Sequence, residues 1–250
     1  MTVAVTSQPP IVALEEVDST NAEARRRAEA GEPGPLWITA GRQTAGRGRR
    51  GRNWETGAGN LAATYLCRTD KPPGEAAQVS FVAALAVADL ASAYVPASLV
   101  SLKWPNDPFI CGRKTAGILV ESGSHPAGGL WLAVGCGVNL ATPPQNAERP
   151  ATAFAAHMRT PPPRPLDALA VLAESFERWR GLWEQLGFAP IADAWTARAH
   201  GLGQTCTARL PAETITGVAE GLDADGALRL RTAPGIVRRI TAGDVFFGAV

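Results

Sequence analysis

Arg42-Gln43-Thr44-Ala45-Gly46-Arg47-Gly48-Arg49-Arg50-Gly51-Arg52 sets five arginines and three glycines into eleven residues, and Asn53 and Trp54 follow before the next acid, Glu55. Glycine lets backbone approach a ligand closely and take positive φ. Arginine adds a permanent charge on a planar fork that suits phosphate and carboxylate. The stretch therefore reads as a loop that wraps an anion. Taken literally, Gly46-x-Gly48-x-x-Gly51 also spells a dinucleotide-binding fingerprint, and Asp70 lies 19 residues beyond Gly51. That fingerprint needs a helix to begin inside it, with the pyrophosphate on the helix N-terminus. Here Gly57 and Gly59 follow, the chain runs on into an apolar strand, and arginines fill the intervening positions. Rejecting the match removes a Rossmann fold and leaves a domain of mixed helices and strands.

Upstream of the loop, Leu36–Ala40 reads as a strand and Ile11–Val17 as another. Between them, Thr20 followed by Glu23 forms a capping-box pattern that predicts a helix ended by Gly31. Downstream, Asn60–Cys67 is a strand and Pro72-Pro73-Gly74 a break before a long alanine- and valine-rich helix over Glu75–Tyr94. Val100–Trp104 is a short strand closed by the turn-forming run Pro105-Asn106-Asp107-Pro108. A hairpin is predicted between Phe109–Cys111 and Ala116–Glu121, and a further apolar strand over Leu130–Val138. Prolines 143, 144 and 150 mark a long surface connection. Helices are predicted over Pro165–Leu186 and Ile191–Leu202, with Trp179, Trp183 and Trp195 on the core side. From Gly203 the pattern changes to short alternating strands, Cys206–Leu210, Thr216–Leu222, Ala227–Thr232 and Val237–Ile240, which suggest a small appended β-barrel. The expected boundaries are thus 1–202 for the larger domain and 203–250 for the smaller.

The 250 residues are long enough for a large core, and 24 basic residues balance 23 acidic ones. No overall field favours nucleic acid or membrane, so the arginine run is a local concentration. The four cysteines are scattered without metal-ligand spacing, which predicts neither a disulfide framework nor zinc. The first ten residues lack the pattern of a signal peptide, and no apolar run approaches the ~18 residues of a membrane helix. These features point to a cytoplasmic protein with no membrane partner.

Gly112-Arg113-Lys114-Thr115 imitates the tail of a P-loop but lacks its glycine spacing. Lys103-Trp104-Pro105-Asn106-Asp107 places two charges in an apolar neighbourhood at a strand end. Lys114 precedes the apolar run Ala116-Gly117-Ile118-Leu119-Val120, where Gly117 would admit a ligand close to the sheet. Gly135-Cys136-Gly137-Val138-Asn139 reads as a bulge or as the floor of a narrow pocket.

Together, Asp-Ser-Thr-Asn at 18–21, the run from Gln43 to Trp54, Lys103-Trp104-Pro105-Asn106-Asp107, Gly112-Arg113-Lys114-x-Ala116-Gly117-Ile118-Leu119 and Gly137-Val138-Asn139 closely resemble the biotin protein ligases. The resemblance reaches the C-terminus through Gly217–Leu228 and Ala242-Gly243-Asp244-Val245. It implies an α+β catalytic domain of the class II aminoacyl-tRNA synthetase and biotin ligase type, with a small C-terminal SH3-like barrel. It implies ATP and Mg²⁺ as cofactors and biotin as substrate. Biotin is activated as biotinoyl-5′-AMP and passed to a lysine of the biotin carboxyl carrier protein. By the same resemblance Lys114 and Arg49 are catalytic. Ser19, Thr20, Asn21 and Gln43 hold biotin, Gly46, Arg47, Gly48, Arg49 and Arg52 form the closing loop, and Trp54 stacks near adenine. Lys103, Asn106, Asp107, Gly117, Gly137 and Asn139 complete the site, with no firm metal ligand. Asp18 lies so near the start that the short form, without an N-terminal DNA-binding repressor domain, is expected. Pro108 and Thr115 stand where the family usually has apolar residues. A homodimer remains open, as do a lipoate or octanoate ligase of the same fold and a nucleic-acid-binding module built on the arginine run.

Overall fold

Strand β1 (Ile11–Val17) runs parallel to β2 (Leu36–Gln43), with α1 (Thr20–Glu29) as the crossover between them. Strand β3 (Leu61–Thr69) lies antiparallel to β2. The short helix α2 (Pro73–Ala76) leads into α3 (Val79–Ser92), and then β4 (Val100–Lys103), β5 (Asp107–Ile110) and β6 (Arg113–Lys114) form a small sheet of their own. Strands β7 (Ala116–Ser124) and β8 (Leu130–Val138) return to the main sheet, whose order is β1-β2-β3-β8-β7. Helices α4 (Pro165–Leu186) and α5 (Ala189–Thr196) follow. The chain ends in β9 (Thr205–Arg209), β10 (Thr214–Leu222), β11 (Leu228–Ala233), β12 (Ile236–Ile240) and β13 (Asp244–Phe247), one antiparallel sheet ordered β12-β11-β10-β9-β13. The structure is a computed structural model, and it describes residues 8–145 and 150–248. Residues 1–7, at the expected leaderless start, and 146–149 of the proline-marked connection lie outside the described residues.

The main sheet is covered on both faces, and the two-residue period of its strands sorts the side chains between them. Trp37, Tyr65, Leu132 and Val134 join α3 and α4 in one core, while Leu36, Ile38, Leu66, Trp131 and Ala133 pack against Ala24 and Ala28 of α1. Helix α3 is buried nearly all round because it is wedged between the sheet, α4 and α5. Residues of the C-terminal sheet, among them Ala208, Leu228 and Leu230, belong to the same core cluster as α3. Asp89 of α3 ties the helices together, accepting hydrogen bonds from Ser175, Arg178, Trp179 and Arg198.

Four expectations need correction. The capping box does not form: Ser19 is the N-cap, Thr20 gives its hydroxyl to other partners, and Glu23 pairs with Arg26 and Arg27. The predicted hairpin is split, since β5 pairs with the two-residue β6 while β7 leaves for the main sheet. The run Asp107–Ile110 is strand rather than turn from its first residue. Finally, the helical run Pro73–Ser92 is long and apolar enough to cross a membrane. Its hydropathy comes from packing inside the fold, where most of it is buried. A fifth C-terminal strand, β13, was not anticipated.

Candidate active site

The face of the main sheet that packs on α1 changes character along β8. Trp131 and Ala133 fill the space beneath the helix, but the next two residues on that face are Gly135 and Gly137. Opposite them on β7 lie Leu119 and Gly117, and on β3 Thr64 and Ala62. Along β8 side chains thus stop where the cavity begins, and at Gly135, Gly137 and Gly117 the floor is backbone. The neighbours above require this. A Cβ on Gly135 would sit 2.2 Å from Asn21 Oδ1, and one on Gly137 2.2 Å from Trp54 Nε1. A cavity of about 420 Å³ opens over this floor, a volume suited to a small ligand.

One wall is the first turn of α1. Ser19, Thr20 and Asn21 are all buried there, and each carries a polar side chain. Gln43 Oε1 accepts from Thr20 N at 2.8 Å and faces Thr20 Oγ1 at 3.2 Å, while Gln43 Nε2 donates to Thr56. Asn21 Nδ2 donates to Leu119 O and Glu121 Oε2, so its Oδ1 is left to accept from Thr64 Oγ1 at 2.7 Å. Both amides are therefore fixed in orientation by their partners.

The opposite wall is the arginine loop, which forms no α-helix. It holds a β-bridge between Arg47 and Asn53 and a single 3-10 turn at Arg49–Gly51. Gly46 is enclosed by the loop's own backbone, where a Cβ would meet Trp54 O at 2.3 Å. Four of the five arginines have carboxylate partners: Arg42 with Glu16, Arg47 with Glu121, and Arg50 and Arg52 both with Asp244. Arg49 instead rests on neutral acceptors, Asn106 Oδ1 at 3.1 Å and Gly243 O at 3.2 Å. Its burial pulls the guanidinium below its usual pKa, though an arginine stays charged throughout.

Two lysines meet one acid at the third side. Asp107 accepts from Lys114 Nζ at 2.6 Å and from Lys103 Nζ at 3.0 Å. Burial pushes its carboxyl up, but Lys114 and then Lys103 outweigh this and hold the pKa at about 2. Lys103 is enclosed and lies over the Phe109 ring. Lys114 is half-exposed toward the cavity, 5.9 Å from the Trp54 ring centre. Its strand is held between β5 and residues 150–152, with Lys114 N donating to Pro150 O and Thr152 N to Lys114 O.

Of the residues singled out from sequence, the structure brings Ser19, Thr20, Asn21, Gln43, Arg47, Gly48, Arg49, Arg52, Trp54, Asp107, Lys114, Gly117, Gly137 and Asn139 to the cavity. Gly46, Lys103 and Asn106 stand one layer behind it. Trp54 lies flat over the sheet glycines, and a Cβ on Gly117 would touch its ring at 2.7 Å. Gly135, read from sequence as part of a bulge or a pocket floor, also lines the cavity. Sequence reasoning missed Thr64 and Glu121 and gave Asp244, though part of a family-like run, no place in the site. The first two follow from the alternation of β3 and β7 once their register is known; Asp244 comes from a distant sheet. Among the described residues no group of three or more His, Cys, Asp or Glu could hold a metal ion. All four cysteines are free.

A polar-walled cavity roofed by an arginine loop, with a lysine at its mouth, defines a binding protein for a small acid and a polyanion. The chain belongs to the biotin/lipoate A/B protein ligase family, whose model matches residues 14–139, while that of the biotin protein ligase C-terminal domain matches 201–248. It is 44% identical to the biotin–[acetyl-CoA-carboxylase] ligase of Paracoccus denitrificans, over 94% of this chain and 99% of that one. Its fold is similar to the biotin protein ligase of Aquifex aeolicus in complex with biotin and ATP, with a TM-score of 0.81 at 23% identity, covering 96% and 99% of the two chains. The Leishmania major biotin protein ligase in complex with biotinyl-5-AMP gives a TM-score of 0.66 at 26% identity, covering 94% and 100%.

Proposed function

We propose that this chain is an ATP-dependent biotin protein ligase. It activates biotin as biotinoyl-5′-AMP and passes the acyl group to a lysine of a biotin carboxyl carrier protein. The observation that carries this reading is the convergence of three unlike surfaces on one cavity. These are the buried polar turn at 19–21, the arginine loop and Lys114.

In the first step a carboxylate oxygen of biotin bonds to the α-phosphorus of ATP, and the bond from that phosphorus to the bridging oxygen of pyrophosphate breaks. Both reactants are anionic, so cations fixed in advance are what the transition state needs. Lys114 is our candidate for the charge developing at the carboxylate and α-phosphate. Asp107, held ionised, keeps its ammonium aimed. Arg49 is the second candidate, because alone among the loop arginines it rests on neutral acceptors and can give its charge to a phosphate. In the second step the neutral amine of the acceptor lysine attacks the acyl carbon, AMP leaves with the electrons of the C–O bond, and the proton lost from the nitrogen passes to solvent. A closed loop protects the mixed anhydride from water until then.

Mg²⁺ would accompany ATP. The residues offer it no cage, since Asp107, Asp244 and Glu121 are engaged by cations, so the ion would be held chiefly by phosphate oxygens. We divide the chain at 202/203 into catalytic and C-terminal domains. A reaction that consumes ATP, in a chain with four free thiols, suits the cytoplasm.

The polar turn favours biotin over lipoate. Asn21 Oδ1 has a lone pair left beside Gly135, which a ureido N–H satisfies and a dithiolane leaves unpaired in a buried place. Internal pairing of the loop arginines also speaks against a basic nucleic-acid face. The test is ATP–pyrophosphate exchange with each acid. Exchange with biotin and not lipoate is expected; exchange with lipoate alone would refute the assignment.

A further inference from the structure

Glu121 stands on β7 beside the cavity, and one of its carboxylate oxygens serves two elements at once. Oε2 accepts from Asn21 Nδ2 at 2.8 Å, on the polar turn, and from Arg47 Nη2 at 3.2 Å, on the arginine loop. Its place on the sheet explains the reach. Glu121 pairs with Ala133, two residues along β7 from Leu119, whose own carbonyl takes the second Asn21 hydrogen.

Consider what the carboxylate does to the amide. Asn21 has two hydrogens, and with Leu119 O and Glu121 Oε2 as acceptors both are committed. The oxygen end must then face Thr64 and the glycine floor, where a Cβ on Gly135 would lie 2.2 Å away. The polarity presented to a ligand is thereby set as an acceptor. Were the amide to turn over, its donors would face the cavity, and a ligand N–H would meet an N–H. A neutral acceptor could orient the amide equally well. An anion does more, because the same oxygen also takes a charge-assisted hydrogen bond from the Arg47 guanidinium, which is stronger than one to a neutral acceptor.

We propose that Glu121 is a positioning residue that joins closure of the arginine loop to recognition of the ligand's N–H group, by fixing the Asn21 amide and clasping Arg47 through one oxygen. This rests on reading the cavity as a biotin site. Glu121 itself does not line the cavity; it acts through the two residues it holds. A ligand that satisfies Asn21 Oδ1 locks the amide in the orientation in which Glu121 is best placed for Arg47, so the loop closes preferentially over a bound ureido group.

The experiment compares wild type, E121A and E121Q in biotin-dependent ATP–pyrophosphate exchange, together with labelling of a bystander protein such as serum albumin as a measure of escaped adenylate. E121A should raise the KM for biotin about tenfold or more, the scale of one lost charge-assisted hydrogen bond. The KM for ATP should stay within about twofold, and bystander labelling should increase. E121Q retains an acceptor for Asn21 but no charge for Arg47, so it should recover most of the biotin KM and still leak adenylate. In N21A/E121A the biotin KM should match that of N21A alone, because Glu121 works through Asn21. A folded E121A with wild-type biotin KM and wild-type labelling overturns the proposal, as does an E121A effect that adds fully to N21A. Should E121A fail to fold, E121Q decides alone, and wild-type retention of adenylate in it overturns the proposal. Absence of biotin-dependent exchange in the wild type would instead refute the functional reading, and the proposal with it.

Discussion

Gly137→Ala adds one methyl group to the cavity floor, and the geometry determines where it lands. The new carbon would lie 2.2 Å from Trp54 Nε1, 2.4 Å from Cε2 and 2.8 Å from Cζ2. Gly137 is in an extended strand with no positive φ, so its backbone accepts alanine and only the contact matters. To reach ordinary contact near 3.4 Å the indole must retreat by about 1.2 Å. The same ring also lies close over Gly117, where a Cβ would be 2.7 Å from it, so it is bedded on both glycines of the sheet. The ring must lift, and Trp54 N donates to Gly46 O, so the lift is transmitted to the loop that carries Arg47 and Arg49. Overpacking of this kind costs about 1–3 kcal/mol, or roughly fivefold to somewhat over a hundredfold in an equilibrium constant. The strain is relieved by opening the loop rather than by unfolding the sheet. We therefore expect the KM for biotin to rise by that factor while the thermal midpoint stays within a few degrees of wild type. The assay is biotin-dependent ATP–pyrophosphate exchange, with thermal melting in parallel. A double-mutant cycle with Trp54→Ala isolates the cause, because without the ring Gly137→Ala should be nearly neutral. If the alanine raises KM equally in the Trp54→Ala background, or has no effect in the wild type, the steric argument is refuted.

Lys114→Ala should lower pyrophosphate exchange by about 100-fold or more, the range seen when one preorganised donor to a developing charge is removed; single-turnover adenylate formation measures it, and a near-wild-type rate would exclude the role given to this lysine. Asp107 has a folded pKa of about 2 against an ordinary 3.8, so the stabilisation from its ion pairs is complete above about pH 4 and is lost as pH falls through 2. Urea unfolding at stepped pH should show wild type losing about 2 kcal/mol more than Asp107→Asn across that interval; parallel curves would contradict the ion-pair account. Asp89→Ala strands the Ser175 hydroxyl and the Trp179 indole N–H between α3 and α4. It should cost about 1–3 kcal/mol in urea unfolding without moving the KM for biotin.

Some elements were legible to the residue: β1, β8 and α4 have the bounds that their patterns predicted. Misreadings arose where a residue's partner is far away in sequence. Thr20 looked like a cap because Glu23 follows three residues later, but Gln43 and Thr64, 23 and 44 residues distant, claim its hydroxyl. Asp107 and Pro108 have turn composition, yet β4 recruits them into a strand by pairing Lys103 with Asp107 and Leu102 with Pro108. The site was partly legible for the same reason. Short runs such as 18–21, 42–54 and 135–139 announce their chemistry locally, whereas Thr64 and Glu121 acquire meaning only from cross-strand register. Asp244 needs the docking of a second sheet onto the first.

That docking bears on how the loop works. Five cations in eleven residues repel one another, and a loop left alone would spread. Here carboxylates from three different elements stand around it: Glu16 on β1, Glu121 on β7 and Asp244 on β13. Each acts where a ligand phosphate cannot reach all the arginines at once. Arg50 and Arg52 share Asp244, and their mutual repulsion is offset by this one carboxylate of the cavity wall. The consequence is a division of labour within one basic run. Arginines paired with acids shape and anchor the loop. Arg49, held by an amide oxygen and a backbone carbonyl, keeps its charge for the ligand. Arg49→Ala should therefore weaken ATP binding and leave the loop in place, whereas Asp244→Ala should loosen the loop and increase bystander labelling while the KM for ATP changes less. Identical profiles for the two variants would show that the arginines act as one undifferentiated patch.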